Sequence, residues 1–333
     1  SGASAAWKFT ARPGTTVGDL TGQFEFSRFA VMKHLRILEE TGLVVSRRDE
    51  LTELLGRHGT RAAAAYYLRE RGRDLAEVEA AHQAHRAALT AVGAAIPVDW
   101  RRGRLDREDL SRFLFAEQDI VVAVGQDGLV ANVAKYLDHQ PVLGVDPQPG
   151  HNPGVLVRHR PGAVGRLLAA VAAGRAPVEE RTMALATLDD GQELLGLNEV
   201  FIGHTSHQSA RYLLATADGG RERQSSSGVV VATGTGATGW CASIVRDRAA
   251  APPLPAPQEQ AACWFVREAW PSPATGVSLT AGRLDGTERI EITGESERLV
   301  VFADGLEGDR LDLGWGQRVT VGLAARRLRL VVS

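Results

Sequence analysis

Asp119 to Val124 (DIVVAV) runs directly into Gly125-Gln126-Asp127-Gly128, and this junction constrains the fold more than any other stretch of the chain. A continuous apolar run of this length reads as a strand buried on both faces, the habit of parallel sheets. The following residues, LVANVAKYL, have helical character. An apolar strand, a Gly-rich turn and a helix start together present backbone N–H groups to a phosphate. Asp127 adds an acid/base or metal-binding group at the same point, and the combination suits phosphoryl transfer.

The pattern around this unit alternates. Leu43–Arg48 reads as a strand, and helices are predicted over DELTELLGRHG, TRAAAAYYLRERG and DLAEVEAAHQAHRAALTAVGAA. A strand near Pro97–Trp100, a helix near Arg107–Phe115 and a strand at Pro141–Val145 complete a sheet expected to be parallel, with helices on both faces. After about Pro177 the chain turns to short strands with turn signals. Ala249–Ala262 is Pro/Ala-rich and reads as a loop or linker. The expected fold class is therefore an α/β N-terminal domain with a parallel sheet, followed by a β-rich C-terminal domain. The boundaries fall at 43–195 and 196–333, with a short helical N-terminal appendage at 1–42.

Composition narrows the function classes. The 333 residues are enough for two domains, and 44% hydrophobic with 23% charged residues is ordinary for a globular protein. A net charge of −2 exerts no general pull toward nucleic acid or an anionic membrane. Two cysteines, Cys241 and Cys263, are too few for a disulfide framework or a zinc site, which fits a cytoplasmic location. No apolar run is long enough to span a bilayer, so no membrane role is expected. His204 and His207 in GHTSHQS lack a carboxylate or cysteine pattern to complete a metal site, and no protein-held metal is expected. His82, His85 and His139 read as solvated or packed, Arg158 and Arg160 as surface residues, and Cys241 as a packed thiol.

Three further segments carry chemistry. Asn198-Glu199 follows an apolar run; Thr233-Gly234-Thr235-Gly236-Ala237-Thr238 closes the run GVVVAT; Ala303-Asp304-Gly305 comes later. Each has a plain structural reading on its own. Asp127 would cap a helix, Asn-Glu would be a turn pair, and the Gly/Thr segment would be a strand-to-helix turn. In order, however, they resemble the marks of the NAD kinases: a GGDG turn, an NE/D pair, a TPTGSTAY-like turn and a late DG turn. The resemblance covers roughly Leu43 to Ser333.

It implies a kinase acting on the 2′-hydroxyl of the adenosine ribose of NAD, with Asp127 as general base. Gly125, Gln126 and Gly128 would bind substrate around that base. Asn198 and Glu199 would hold the adenosine part, Thr235 and Thr238 would supply hydroxyls, and Thr233, Gly236 and Asp304 are further candidates. Mg²⁺ with ATP or polyphosphate is the implied donor, NAD the substrate and a homo-oligomer the assembly. This chain differs from the family pattern at several points. Gln126 replaces a glycine and would be strained if that position requires positive φ. Leu129 stands for threonine, Ser227-Gly228 for Asp-Gly and Trp240 for tyrosine. DPQPGHNPGVL replaces NLGRLGFL, with Asn152 and Gly154 matching loosely. The alternatives are a lipid or diacylglycerol-type kinase, and a non-catalytic dinucleotide-binding transcriptional regulator.

Near the N-terminus, TVGDLTGQFEFSRFAVMKHLRILEETGLVVSRR resembles part of an ArsR-type winged helix-turn-helix. That resemblance implies a recognition helix from Ser27 to Thr41, ending at Gly42, with Arg28, Lys33, His34 and Arg36 toward DNA. Asp19, Glu25, Glu39 and Glu40 nearly balance these charges. A helical pair packed on the α/β domain or on a neighbouring subunit is favoured over DNA binding.

Overall fold

The computed structural model describes residues 41–151 and 154–333. The helix-turn-helix-like segment up to residue 40 and Asn152 lie outside the described residues. The last two residues assigned to that segment, Thr41 and Gly42, do not end a helix. They open strand β1 (Thr41–Ser46), which is paired on both sides. The apolar TGLVVS run finds two strand partners there, and tertiary pairing overrides the local helical pattern. Gly42 is needed for packing, because a Cβ there would lie 2.8 Å from Ile96 Cγ2.

The three helices expected next are present: α1 (Glu50–His58), α2 (Arg61–Arg69) and α3 (Leu75–Ala95). Each starts on a side chain that accepts a backbone N–H of the first turn: Asp49 from Thr52, Thr60 from Ala63 and Asp74 from Ala76. Such caps satisfy donors that the helix itself leaves free, each worth about 1 kcal/mol. The strand expected at Pro97–Trp100 is instead a turn, closed by the Trp100 N–H on the Pro97 carbonyl. Strand β2 follows at Arg101–Asp106. It is the edge of its sheet and largely exposed, so arginines rather than alternating apolar residues mark it. The helix expected at Arg107–Phe115 is a 3-10 segment at Arg107–Arg112.

Then come β3 (Asp119–Val124), α4 (Asp127–Ala134), β4 (Pro141–Val145) and α5 (Val164–Ala172). Alternate residues of the strands face opposite cores. Leu43, Val45, Val121 and Ala123 pack with Val130 and Val133 of α4, whereas Val44, Val122 and Val124 pack with Val92 of α3 and Leu168 of α5. Burying each such Val or Leu contributes roughly 1.5–3 kcal/mol. The helices thus cover both faces, as a parallel sheet requires.

The strand-rich part contains β5 (Val178–Leu188), β6 (Glu193–Gly196), β7 (Glu199–His204), β8 (Ala210–Ala215), β9 (Arg221–Ser226) and β10 (Gly228–Thr233). After α6 (Trp240–Arg246) come β11 (Ala261–Arg267), β12 (Ala281–Asp285), β13 (Arg289–Gly294), β14 (Leu299–Ala303), β15 (Leu306–Leu313) and β16 (Arg318–Val331). One sheet runs β2-β1-β3-β4-β16-β13-β8-β9, with β5 and β6 attached at β16. It is parallel through β4 and antiparallel beyond β16. A second sheet runs β12-β11-β10-β7-β14-β15. The two sheets share a core that includes Val200, Val229, Val231, Ile292 and Val321. No helix among the described residues is long and apolar enough to cross a membrane.

Candidate active site

The parallel strands lie in the order β2-β1-β3-β4, so the chain reverses its direction of winding between β1 and β3. Ligands of open α/β sheets sit beyond the carboxyl ends of the strands at such a switch point. A cleft of about 650 Å³ lies there. Arg47 and Arg48 enter it after β1, Arg107 after β2, Gly125 and Gln126 after β3, and Asp146 after β4. His82 and His85 of α3 face it from the helical insertion, and Asp304 and Gly305 come from the turn after β14.

The GQDG turn is relaxed. Gln126 has φ −98° and ψ 168°, extended backbone that glutamine adopts freely. The strain that a positive φ would impose is absent, because Gln126 ends the strand and precedes α4 without a left-handed step. Gly125 prolongs the ladder by donating its N–H to the Val145 carbonyl at 3.0 Å. A Cβ on Gly128 would meet nothing within 4 Å.

Asp127 is half-buried at the first position of α4, and its carboxylate grips a neighbouring segment. Oδ2 accepts the Val155 N–H at 2.9 Å, and Oδ1 accepts those of Leu156 and Val157 at 2.8 and 2.9 Å. The segment is held from its other side as well. The His159 N–H reaches the Gly144 carbonyl at 3.0 Å, and a Cβ on Gly144 would lie 2.1 Å from the Leu156 carbonyl oxygen. Glycine in the middle of β4 is therefore required for this close approach.

The other three motifs form one hydrogen-bonded unit centred on Asp304. This residue has φ 54° and is followed by Gly305 at φ 66°. Its buried carboxylate accepts the N–H groups of Leu197, Asn198 and Glu199 at 2.8, 2.7 and 3.3 Å. Burial raises its pKa to about 6, against the lowering effect of those amides. Burial, with the Asp304 charge second, also raises Glu199 to about 7. The Asn198 carbonyl accepts the Thr233 N–H at 2.9 Å, and the Thr233 hydroxyl donates to the Leu197 carbonyl at 2.5 Å. The same hydroxyl accepts the N–H of Thr235 at 3.1 Å. Gly236 lies so close to this pair that a Cβ would be 2.2 Å from the Asn198 carbonyl oxygen. The Thr238 hydroxyl donates to the Thr235 carbonyl at 3.0 Å. The Thr235 hydroxyl is buried without a partner among the described residues. Cys241 is a buried free thiol pushed up to about 12 by burial.

Two links join this unit to the GQDG turn. Asn132 of α4 donates its amide to the Asp304 carbonyl at 3.0 Å, and Asp304 and Gly305 share the cleft with Gly125, Gln126 and Gly128. Asp127, Asn198, Glu199, Thr233, Thr235, Gly236 and Thr238 are not part of the cleft lining. Sequence reasoning missed Arg48, Arg107, Asn132 and Asp146. Their common signal is position, since three of them come just after parallel strands. Among the described residues no group of three or more His, Cys, Asp or Glu side chains is arranged to hold a metal ion.

No family model matches the chain. It is 24% identical over 230 residues to an NAD kinase of Chlorobaculum tepidum, covering 68% of this chain and 75% of that one. A crystal structure of yeast NADH kinase complexed with NADH superposes with a TM-score of 0.55 at 14% identity, over 89% of this chain and 84% of that one. The chain is similar to these NAD kinases in sequence and in fold. The NAD kinase-like fold accounts for the α/β part with its parallel strands and for the β-rich part that follows.

Proposed function

We propose that the chain is a kinase that phosphorylates the 2′-hydroxyl of the adenosine ribose of NAD or NADH, with Mg²⁺ and ATP or polyphosphate as donor. The observation that carries this is the relaxed GQDG turn, which brings the start of α4 to a cleft shared with Asp304-Gly305. The relatives named NAD kinase and NADH kinase supply the acceptor. Asp127 orients the acceptor hydroxyl and takes its proton. Three amides occupy most of its roughly four acceptor positions, leaving about one for a ribose O–H. A loose phosphoryl-transfer transition state asks mainly for positioning and charge stabilisation, so one well-placed acceptor is adequate.

Glu199, Asn198, Thr235 and Thr238 hold the dinucleotide. The unpartnered Thr235 hydroxyl and the Glu199 carboxylate, for which no protein hydrogen bond is present among the described residues, are the groups with capacity to spare. Magnesium would ride on the donor phosphates, where it neutralises developing charge. Asp146, buried in the cleft wall with one amide on its carboxylate, is the side chain with oxygens free to meet it. We read residues 43–195 as the donor side and 196–333 as the dinucleotide side of a cytoplasmic homo-oligomer.

The test is a coupled assay for NADP(H) formation from NAD and from NADH, with ATP and with polyphosphate, on the full chain and on Asp127→Asn. Product with at least one donor is expected, falling by about 10² or more in Asp127→Asn. No product with any pairing refutes the kinase. Full activity in Asp127→Asn refutes the role of Asp127.

A further inference from the structure

The cleft lining carries five carboxylates and three arginines, but they are not paired one to one. Each carboxylate that lines it already accepts at least one hydrogen bond or ion pair from the protein. Asp49 caps α1 through the Thr52 N–H and meets His82 at 2.9 Å, and Glu50 holds Arg73 through two contacts. Glu53 faces Arg47 at 3.5 Å, Asp146 accepts the Gln148 N–H, and Asp304 accepts three amides. Two arginines are left without an acceptor. Arg48 stands at the rim and Arg107 is half-buried, and neither has a hydrogen-bonding or ionic partner among the described residues. The Arg107 Nε is closed off from water with no acceptor.

Several arginines elsewhere among the described residues do have carboxylate partners. Arg158 pairs with Glu179, Arg283 with Glu259 and Asp285, and Arg223 with Glu295. A buried guanidinium N–H without an acceptor is costly, and an incoming anion removes that cost. Guanidinium also matches phosphate oxygens in a bidentate fork. His85 adds little positive charge, because burial lowers its pKa. Across the cleft stand the GQDG turn and the start of α4, a second anion-favouring surface.

The rest of the lining is aliphatic or amide: Val78, Ala81, Val124, Leu129, Pro147 and Gln148 are examples. No Phe, Tyr or Trp is among the described lining residues, and of the two imidazoles there His82 is tied to Asp49, so a nucleobase lacks a large stacking platform.

We propose that Arg48 and Arg107 form a clamp for a phosphoanhydride chain, so that the donor is recognised by its phosphates and not by its base. This rests on the kinase reading for the word donor, but the anion site stands or falls by itself. A nucleoside triphosphate and an inorganic polyphosphate present the same chemistry to the clamp.

Titration calorimetry on the full chain at low salt, with tripolyphosphate, ATP and adenosine as separate ligands, tests it. Tripolyphosphate should bind within about tenfold of ATP, and adenosine should not bind measurably. Arg107→Ala should weaken both phosphate ligands by about 10- to 100-fold, as expected for lost charge-assisted hydrogen bonds. Arg107→Lys should recover part of the loss, and Arg48→Ala should cost about five- to tenfold. Arg211→Ala, on β8, should change nothing, and thermal melts of all variants establish that they are folded. ATP binding without tripolyphosphate binding overturns the clamp, as does a folded Arg107→Ala with unchanged affinities. Arginine-dependent tripolyphosphate binding with no NADP from any donor keeps the clamp and removes the kinase. NADP formation with an unchanged KM for ATP in Arg107→Ala does the reverse.

Discussion

Replacing Glu199 with glutamine should make the protein more stable at neutral and alkaline pH while weakening its use of the dinucleotide. Glu199 is half-buried beside the Asp304 carboxylate and accepts no hydrogen bond from any described residue. Burial and that neighbour raise its pKa from 4.5 to about 7. Each tenfold change in proton affinity corresponds to about 1.4 kcal/mol. Holding the carboxyl near 7 therefore places about 3 kcal/mol on the ionised form, and partial solvent access reduces this to about 1–3 kcal/mol. The folded protein binds the proton more tightly than the unfolded chain. The stability associated with it is fully present below about pH 4.5 and is lost as pH rises through about 7. Glutamine has nearly the same shape and never ionises. Urea denaturation of wild type and Glu199→Gln from pH 4.5 to 8.5 should give nearly equal stabilities at the acid end. At pH 8 the variant should be more stable by about 1–3 kcal/mol. Equal stabilities at pH 8, or parallel pH profiles, would refute the argument that this carboxylate is held at a disadvantage. A higher KM for NAD in the stabilised variant is the expected functional counterpart.

Four further outcomes follow from the turns. Gln126→Gly restores a Gly-Gly pair, but at φ −98° it relieves nothing; chemical denaturation should find it less stable by about 0.4–1 kcal/mol through the freer unfolded chain. Gly236→Ala drives a Cβ to 2.2 Å from the Asn198 carbonyl oxygen and should destabilise by about 3 kcal/mol or more. Gly128→Ala, with open space around it, should be neutral or stabilising by about 1 kcal/mol in the same denaturation experiment. Asp304→Asn presents one carbonyl oxygen to three N–H groups. It should lose about 2–4 kcal/mol, with hydrogen exchange accelerated at residues 197–199.

The strand-turn-helix at 119–134 and the three capped helices were legible because each is a local pattern: a continuous apolar run, or an Asp or Thr placed ahead of a helix. Strand β2 was not, because an edge strand rich in arginine carries no apolar alternation. The conformation at Gln126 was undecidable, since a family glycine there signals positive φ or close approach equally well. The three partners of Asp127 were hidden for another reason. They are backbone amides of a segment whose side chains carry no motif, and only Gly144 marks the approach. Arg48, Arg107 and Asp146 belong to one cleft only once the strand order is known.

The pairing of β16 with β4 has a consequence for how the molecule comes into being. Arg329 and Leu330 lie parallel to Pro141 and Val142, so the inner edge of the parallel sheet is closed by residues made long after it. While a ribosome is still delivering the strand-rich half, β4 presents bare N–H and C=O groups beside a strongly apolar strand. Such an edge invites pairing with another nascent chain. The His159 ring, which meets the Val331 carbonyl at 2.9 Å, also waits for that last strand. Nascent chains should therefore need protection until β16 docks, and lesions in β16 should reduce soluble yield even though they lie far along the chain from the GQDG turn.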